Sequence, residues 1–290
     1  MNKQHILFII NPIAGGGKPL DWGSLIHTYL DGSKFNYQIE YTQKQDDATK
    51  YSKYAVENNI EIVCAVGGDG TINEVAQGIV NSNTALAIIP RGSGNGLARH
   101  LSIPMNTIDA IKNLNHSSIY SMDTCYLNSK LFLCVAGIGF DAHIAKVFDE
   151  YGKRGLISYA WLSFKEFFNY QPKRYKLITN EKEINTEAFL ISFANASQFG
   201  NNAYIAPNAQ TNDGLIDLII IKPFPLWATP EILLRLFNRS IHRSKYCEAH
   251  SIKKLHIHST TDIAHIDGEP VQLAGSTKIS ILPNSIKIVY

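Results

Sequence analysis

Short apolar runs alternate with helix-periodic stretches through the first third of the chain. His5–Ile10, Ile62–Val66 and Ala85–Ile89 are nearly continuous apolar runs of strand length, and Tyr37–Thr42 alternates. Continuous runs of this kind belong to strands buried on both faces, as in a parallel sheet covered by helices. Between them, Leu20–Leu30, Asp46–Asn58, the stretch through Val75, Ile79 and Val80, and the stretch opening at Leu97 read as helices. Strand and helix thus alternate four times, the order of an α/β domain with parallel strands.

The pattern changes after about Asn115. Ile119–Tyr126 and Leu131–Ala136 flank Asn128-Ser129, a hairpin signal. Short strands follow at Tyr175–Thr179, Ala188–Ala194, Leu215–Ile221, Lys254–His258, Asp262–Ile266 and Lys278–Leu282. Many short strands with Gly, Asn and Pro between them predict an antiparallel β-sandwich. Helices interrupt it at Leu156–Tyr170 and Pro230–Tyr246. The expected domains are therefore residues 1–120, α/β, and 121–285, β-sandwich, with the final run 286–290 a candidate to return to the first.

Three strands of the first domain end in glycine-rich turns: Asn11-Pro12-Ile13-Ala14-Gly15-Gly16-Gly17-Lys18, Gly67-Gly68-Asp69-Gly70-Thr71-Ile72-Asn73, and Gly92-Ser93-Gly94-Asn95-Gly96. In parallel sheets ligands bind beyond the carboxyl ends of the strands, so the three loops converge on one edge. A glycine turn that opens a helix lets backbone N–H groups approach phosphate, and the helix dipole favours the anion. Asp69 adds a carboxylate where a nucleotide's metal would sit. The first loop is not a Walker A motif, because Pro12 stands where Gly is required and Pro19 follows the lysine. Gly137-Ile138-Gly139-Phe140-Asp141-Ala142 fits the dinucleotide pattern, but it lies among hairpin strands and reads as a decoy.

Composition narrows the classes. Lys plus Arg number 27 against 25 acids, formally +2, which argues against a nucleic-acid binder working through bulk charge. The four cysteines, Cys64, Cys125, Cys134 and Cys247, form no Cys-x-x-Cys pair and read as reduced core residues of a cytoplasmic protein. The N-terminal apolar run is too short for a signal peptide, and none approaches the roughly 18 residues that span a bilayer.

Together these motifs resemble the diacylglycerol kinase catalytic family, which includes bacterial soluble lipid kinases, sphingosine kinases and ceramide kinases. The resemblance also rests on Thr42, Asn195 with Phe199-Gly200, Ala206-Pro207-Asn208-Ala209, Asp213-Gly214-Leu215 and Asp267-Gly268-Glu269. It implies a phosphofructokinase- or NAD kinase-like N-terminal domain, a C-terminal β-sandwich, ATP in the cleft and Mg²⁺ as cofactor. It also implies a nucleotide site at Asn11, Pro12, Ile13, Ala14, Gly15, Thr42, Gly67, Gly68, Asp69, Gly70, Thr71, Ile72, Asn73 and Ser93. Asp69 and Asp123 are the metal candidates, Asp141 the substrate candidate. Asp267 or Glu269 is the expected base toward a lipid hydroxyl, although Asp-Gly alone reads as an ordinary type I′ hairpin turn. A structural Mg²⁺ is implied at Gln210, Asp213 and Leu215.

Gly96 stands where many bacterial members carry Asp, and Ser93 where Thr is usual, as in the sphingosine and ceramide kinase loop. The expected reaction is phosphoryl transfer from ATP to a diacylglycerol-type lipid at a membrane surface, within phospholipid biosynthesis. A sphingoid base or ceramide is the alternative acceptor. NAD kinase and a non-catalytic nucleotide-binding regulator are the alternatives of another class.

Pro230–Tyr246 combines an apolar face with Arg235, Arg239, His242, Arg243 and Lys245. It reads as a helix packed on the sandwich with a solvated basic face, or as a peripheral membrane contact. His256, His258 and His265 read as sheet-surface histidines. A homodimer is left open.

Overall fold

The computed structural model describes residues 3–16, 19–151, 156–179, 182–258, 262–273 and 275–290. Gly17 and Lys18 of the first glycine loop lie outside the described residues. The chain divides into two compact units, Met1–Asp123 with Pro283–Tyr290, and Thr124–Leu282.

The first unit runs β1 (Gln4–Ile10), α1 (Trp22–Tyr29), β2 (Phe35–Tyr41), α2 (Asp47–Glu57), β3 (Ile62–Gly67), α3 (Asp69–Ile79), β4 (Ala85–Pro90), α4 (Gly96–His100), α5 (Thr107–Leu114) and the start of β5 (Ile119–Leu127). Its strands are ordered β2-β1-β3-β4, all parallel. The end of the last strand, β16 (Thr277–Val289), adds parallel to β4 through Lys287 and Ile288. Alternation sorts each strand between two faces. Ile6, Phe8, Ile10, Cys64 and Val66 pack with Trp22 and Ile26 of α1 and Ile111 of α5. Leu7, Ile9, Val63 and Ala65 are equally buried, on the face where α2 and α3 pack. Double burial is why these strands read as unbroken apolar runs. The short α5 was not marked by the periodicity.

The second unit contains β6 (Lys130–Phe132), β7 (Val135–Gly139), α6 (Phe140–Tyr151), α7 (Leu156–Phe167), β8 (Lys173–Thr179), β9 (Glu183–Ala188), β10 (Leu190–Ala194), β11 (Ile216–Ile221), α8 (Thr229–Phe237), β12 (Cys247–Ile252), β13 (Lys254–His258), β14 (Ile263–Ile266) and β15 (Glu269–Gln272). One antiparallel sheet is ordered β12-β11-β10-β7-β14-β15, and a second layer pairs β9, β8, β13 and the start of β16. Tyr175, Leu177, Leu255 and Ile257 of one layer share a core with Ile191, Phe193, Leu218 and Ile220 of the other. Every second side chain enters that core, which is the sandwich pattern.

Two expectations change. Pro230–Tyr246 is not one helix. α8 ends at Phe237, and a separate 3₁₀ turn covers Ile241–Arg243. Arg239 takes a left-handed conformation (φ 62°), and the Ser240 N–H donates to the Arg235 carbonyl at 2.9 Å, the closure that terminates a helix. The Gly137–Ala142 motif does open a helix, α6, which the hairpin reading had not anticipated. Its strand β7 is nevertheless antiparallel to both neighbours, so no βαβ nucleotide unit forms there. Among the described residues, which include all four cysteines, none joins a disulfide, and burial pushes the Cys64 thiol far up. No described helix is long and apolar enough to cross a membrane.

Candidate active site

The three glycine loops of the first unit touch one another. The Asn11 N–H donates to the Val66 carbonyl at 3.0 Å, and the Arg91 N–H to the Gly67 carbonyl at 2.7 Å, so both outer loops hang on the end of β3. The Asn11 side chain donates to Thr71 Oγ1 at 3.2 Å and accepts from the Ile13 N–H at 3.2 Å. Thr42 leaves β2 with its N–H on the Ile10 carbonyl at 2.9 Å, beside the first loop. A Cβ on Gly68 would stand 3.1 Å from Gly92 Cα, and one on Gly15 2.9 Å from the Arg91 carbonyl oxygen. Gly67 has no room at all, because a side chain there would collide with Thr71.

The third loop carries its own fastener. Asn95, left-handed at φ 51°, accepts from the Gly92 N–H and donates back to the Gly92 carbonyl, both at 2.8 Å. This closes the loop and leaves Ser93 exposed at its tip. Pro12, Ile13 and Gly15 are likewise exposed, with Ala14 half-buried. Gly68 is the N-cap of α3, and as a glycine it caps the helix with backbone alone at the turn holding Asp69, Gly70 and Thr71. Ile72 is buried, and Asn73 accepts from Gln77 at 2.8 Å. Arg91 was not singled out in the sequence. Its guanidinium packs over Trp22, 5.7 Å from the ring centroid, and against Gly15, which brings a cation to the first loop. Asp123 is fully buried in β5 and accepts from the Asn284 N–H at 2.7 Å, at the entry to the returning strand.

Magnesium favours oxygen ligands, typically one or two carboxylates with phosphates and waters. Asp69, in the first turn of α3, is a donor of that type. Among the described residues no three His, Cys, Asp or Glu side chains gather as a protein-only metal cage, and a metal carried on nucleotide phosphates requires none.

In the second unit, Asp267 and Gly268 sit at φ 48° and 89° between the paired Ile266 and Glu269, a two-residue hairpin turn with both centres left-handed. The Asp267 carboxylate accepts the N–H groups of Leu133, Cys134 and Val135 at 3.1, 2.9 and 3.1 Å. Asn195 braces the same segment from the other side. Its side chain donates to the Leu133 carbonyl at 2.9 Å, and its N–H to that of Cys134 at 2.9 Å. Two motifs about seventy residues apart thus hold one short stretch of chain. Glu269, by contrast, is exposed.

Asp141 is 8% exposed and accepts from the Ala142 N–H at 2.8 Å and from Ser192 Oγ at 3.3 Å. Its other partner is His265 Nε2, 3.1 Å away. His265 is therefore not a sheet-surface histidine: it is 3% exposed, because Gly137 leaves room for both side chains. Burial first, then Tyr175 and Asp141, push the nearby Tyr170 hydroxyl well above its usual range. Gln210 and Asp213 lie on an exposed turn, where Asp213 accepts from the Leu215 N–H at 2.9 Å.

Two family models match successive parts of the chain. Residues 5–127 match the diacylglycerol kinase catalytic domain, and residues 134–290 the YegS C-terminal NAD kinase beta sandwich-like domain. A "Probable lipid kinase YegS-like" protein of Chromohalobacter salexigens is 31% identical over 192 residues, 64% of this chain and 62% of that protein. This chain thus spans less than two thirds of that relative. One of the same description from Yersinia enterocolitica is 28% identical over 98% of this chain and 96% of its own. A crystal structure of a diacylglycerol kinase from Bacillus anthracis str. Sterne superposes with TM-score 0.76 at 22% identity, covering 100% of this chain and 98% of that one, a likeness of fold. With its first half matched by that catalytic domain and its second by the YegS sandwich, the chain belongs to the diacylglycerol kinase catalytic family, in its YegS-like form.

Proposed function

We propose that the protein is an ATP- and Mg²⁺-dependent lipid kinase that phosphorylates the hydroxyl of a diacylglycerol-type acceptor. The observation that carries this reading is the mutual contact of three glycine loops at the start of α3. Phosphoryl transfer asks for positioned phosphates, neutralised charge and a carboxylate near the attacking hydroxyl. The loop N–H groups hold the phosphates, with Arg91 adding positive charge. Asp69 would hold Mg²⁺, which neutralises phosphate charge when bound, and Asp123 is the further metal candidate. Asp267 or Glu269 takes the proton from the acceptor. Asp141, fixed by His265 and Ser192, is the acceptor-side polar contact. A structural cation at Gln210, Asp213 and Leu215 belongs to the same reading.

The test is incubation with labelled ATP, Mg²⁺ and a panel of diacylglycerol, monoacylglycerol, sphingosine, ceramide, phosphatidylglycerol and NAD. Labelled phosphatidic acid is expected. Labelled sphingosine or ceramide phosphate would follow the Ser93 and Gly96 version of the loop instead. Labelled NADP, or no product at all, would overturn the lipid-kinase reading.

A further inference from the structure

α8 carries apolar side chains on its exposed side. Ile232 is buried against the sandwich, yet Leu234 and Phe237 remain 64% and 56% exposed, and Trp227 in the preceding turn is 70% exposed. A helix with a solvated basic face would place Lys, Arg or Glu at those positions. α7 and the turn after it repeat the feature, with Trp161, Phe164 and Phe168 exposed by 54%, 68% and 55%. The two groups are joined by aromatic contacts. Phe164 meets Phe168 at 5.2 Å between centroids, Phe168 meets Phe167 at 5.8 Å, and Phe167 meets Phe224 at 5.8 Å. Phe224 lies three residues before Trp227. Large exposed apolar patches of this kind mark interaction surfaces.

The two segments carry more bases than acids. Lys165 lies over the Trp161 ring at 5.8 Å, and Lys245 over the Trp227 ring at 5.5 Å. Exposed Lys173, Arg174, Arg239 and Arg243 belong to the same two segments. Their two acids are already engaged, Glu166 with His143 at 2.9 Å and Glu231 with Arg235 at 2.7 Å. Exposed tryptophan next to lysine is the chemistry of the boundary between acyl chains and headgroups, where the ring is buried and the ammonium reaches lipid phosphate.

We propose that the face formed by Trp161, Phe164 and Phe168 with Trp227, Leu234 and Phe237 docks the protein on an anionic lipid bilayer. A second copy of the chain is the poorer occupant, because a two-fold interface would set this basic rim against itself. The proposal deepens the lipid-kinase reading and rests on it for the purpose of docking, though not for the binding itself.

The test is sedimentation with vesicles of phosphatidylcholine alone and of phosphatidylcholine mixed with phosphatidylglycerol, for the wild type, Phe164→Ser/Trp227→Ser and Lys165→Glu/Lys245→Glu. The wild type should bind the anionic vesicles more tightly. Phe164→Ser/Trp227→Ser should lose on the order of tenfold or more in binding, since each aromatic ring removed from the interface is worth about that factor. Lys165→Glu/Lys245→Glu should lose on the order of tenfold or more because each basic residue near an anionic surface is worth roughly fivefold. Gel filtration and thermal unfolding establish that the variants fold. Both should still phosphorylate a short-chain, monomerically dispersed diacylglycerol at the wild-type rate while losing activity on vesicle-borne lipid. Unchanged vesicle binding, or a change of oligomeric state in the variants, overturns the docking face. Absence of activity on the dispersed lipid in the wild type, with vesicle binding intact, overturns the kinase reading and leaves the face standing.

Discussion

Asn11 and Thr71, 60 positions apart in the chain, are joined by a hydrogen bond of 3.2 Å from the amide of the first to the hydroxyl of the second. The bond ties the loop after β1 to the first turn of α3. Thr71→Val keeps the shape and removes the hydroxyl, so the Asn11 amide loses its acceptor in a partly buried site. The stability cost is about 1 kcal/mol. On the proposed reading the larger effect falls on the nucleotide, because two loops assigned there to phosphate lose their mutual register. We expect the KM for ATP to rise roughly tenfold with a modest fall in melting temperature, equivalent to about 1.4 kcal/mol of binding. An unchanged KM would mean that the loops are held by their backbone bonds alone.

Gly92→Ala tests the closer contact. The added Cβ would stand 2.6 Å from Gly68 Cα and 2.7 Å from Asn95 Oδ1, and the first of these is backbone that can move only with its loop. Misplacing one loop by an ångström is expected to cost on the order of a hundredfold in turnover. Gly23→Ala is the control. It lies in α1, where a Cβ meets only Asp21 Oδ1 at 3.5 Å, an ordinary contact. It should leave activity unchanged and raise stability by up to about 1 kcal/mol. Steady-state kinetics and thermal unfolding of the pair separate the two outcomes.

The parallel half was legible because double burial writes unbroken apolar runs, and the sandwich because single burial writes alternation. The glycine loops were legible because close backbone approach admits no side chain. What escaped depends on distance in the chain or on a cap. The pairing of His265 with Asp141 joins positions 124 apart, which no local spacing records. Asn195 and Asp267 could be matched as motifs, but not as two braces on Leu133–Val135. The break of the basic helix at Arg239 follows from a left-handed non-glycine residue, which sequence pattern does not mark. Arg91 looked like one more loop residue until the fold laid it against Gly15.

His100, at the end of α4, gives a pH dependence. Burial holds its imidazole below the usual value of 6.5, since the charged form is poorly solvated there. The unfolded chain therefore takes up the proton first as the pH falls. The stability contributed by the neutral ring is full above 6.5 and is lost on acidification from 6.5 toward the depressed folded value. His100→Gln removes this dependence. Between pH about 7.5 and about 5.5 the wild type should lose more melting temperature than the variant, and equal losses would show that the ring titrates as in the unfolded chain.

Asp267 sits in the hairpin turn and Glu269 at the start of the strand that leaves it, and they differ in burial and in the bonds shown, which separates structure from chemistry. Asp267→Asn preserves the left-handed turn, which Asn tolerates, but turns a carboxylate that accepts three N–H groups into an amide that cannot accept all of them on equal terms. The expected cost is about 1.5–3 kcal/mol of stability together with loss of activity. Glu269→Gln changes an exposed side chain, so stability should stay within about 0.5 kcal/mol. If Glu269 takes the acceptor's proton, turnover falls by at least roughly a hundredfold while the KM for ATP holds. That is the outcome expected, measured as kcat and KM on the same preparations used for unfolding. Full turnover by Glu269→Gln would transfer the role of base to Asp267, whose three N–H partners would then orient the reacting carboxylate as well as pin the hairpin.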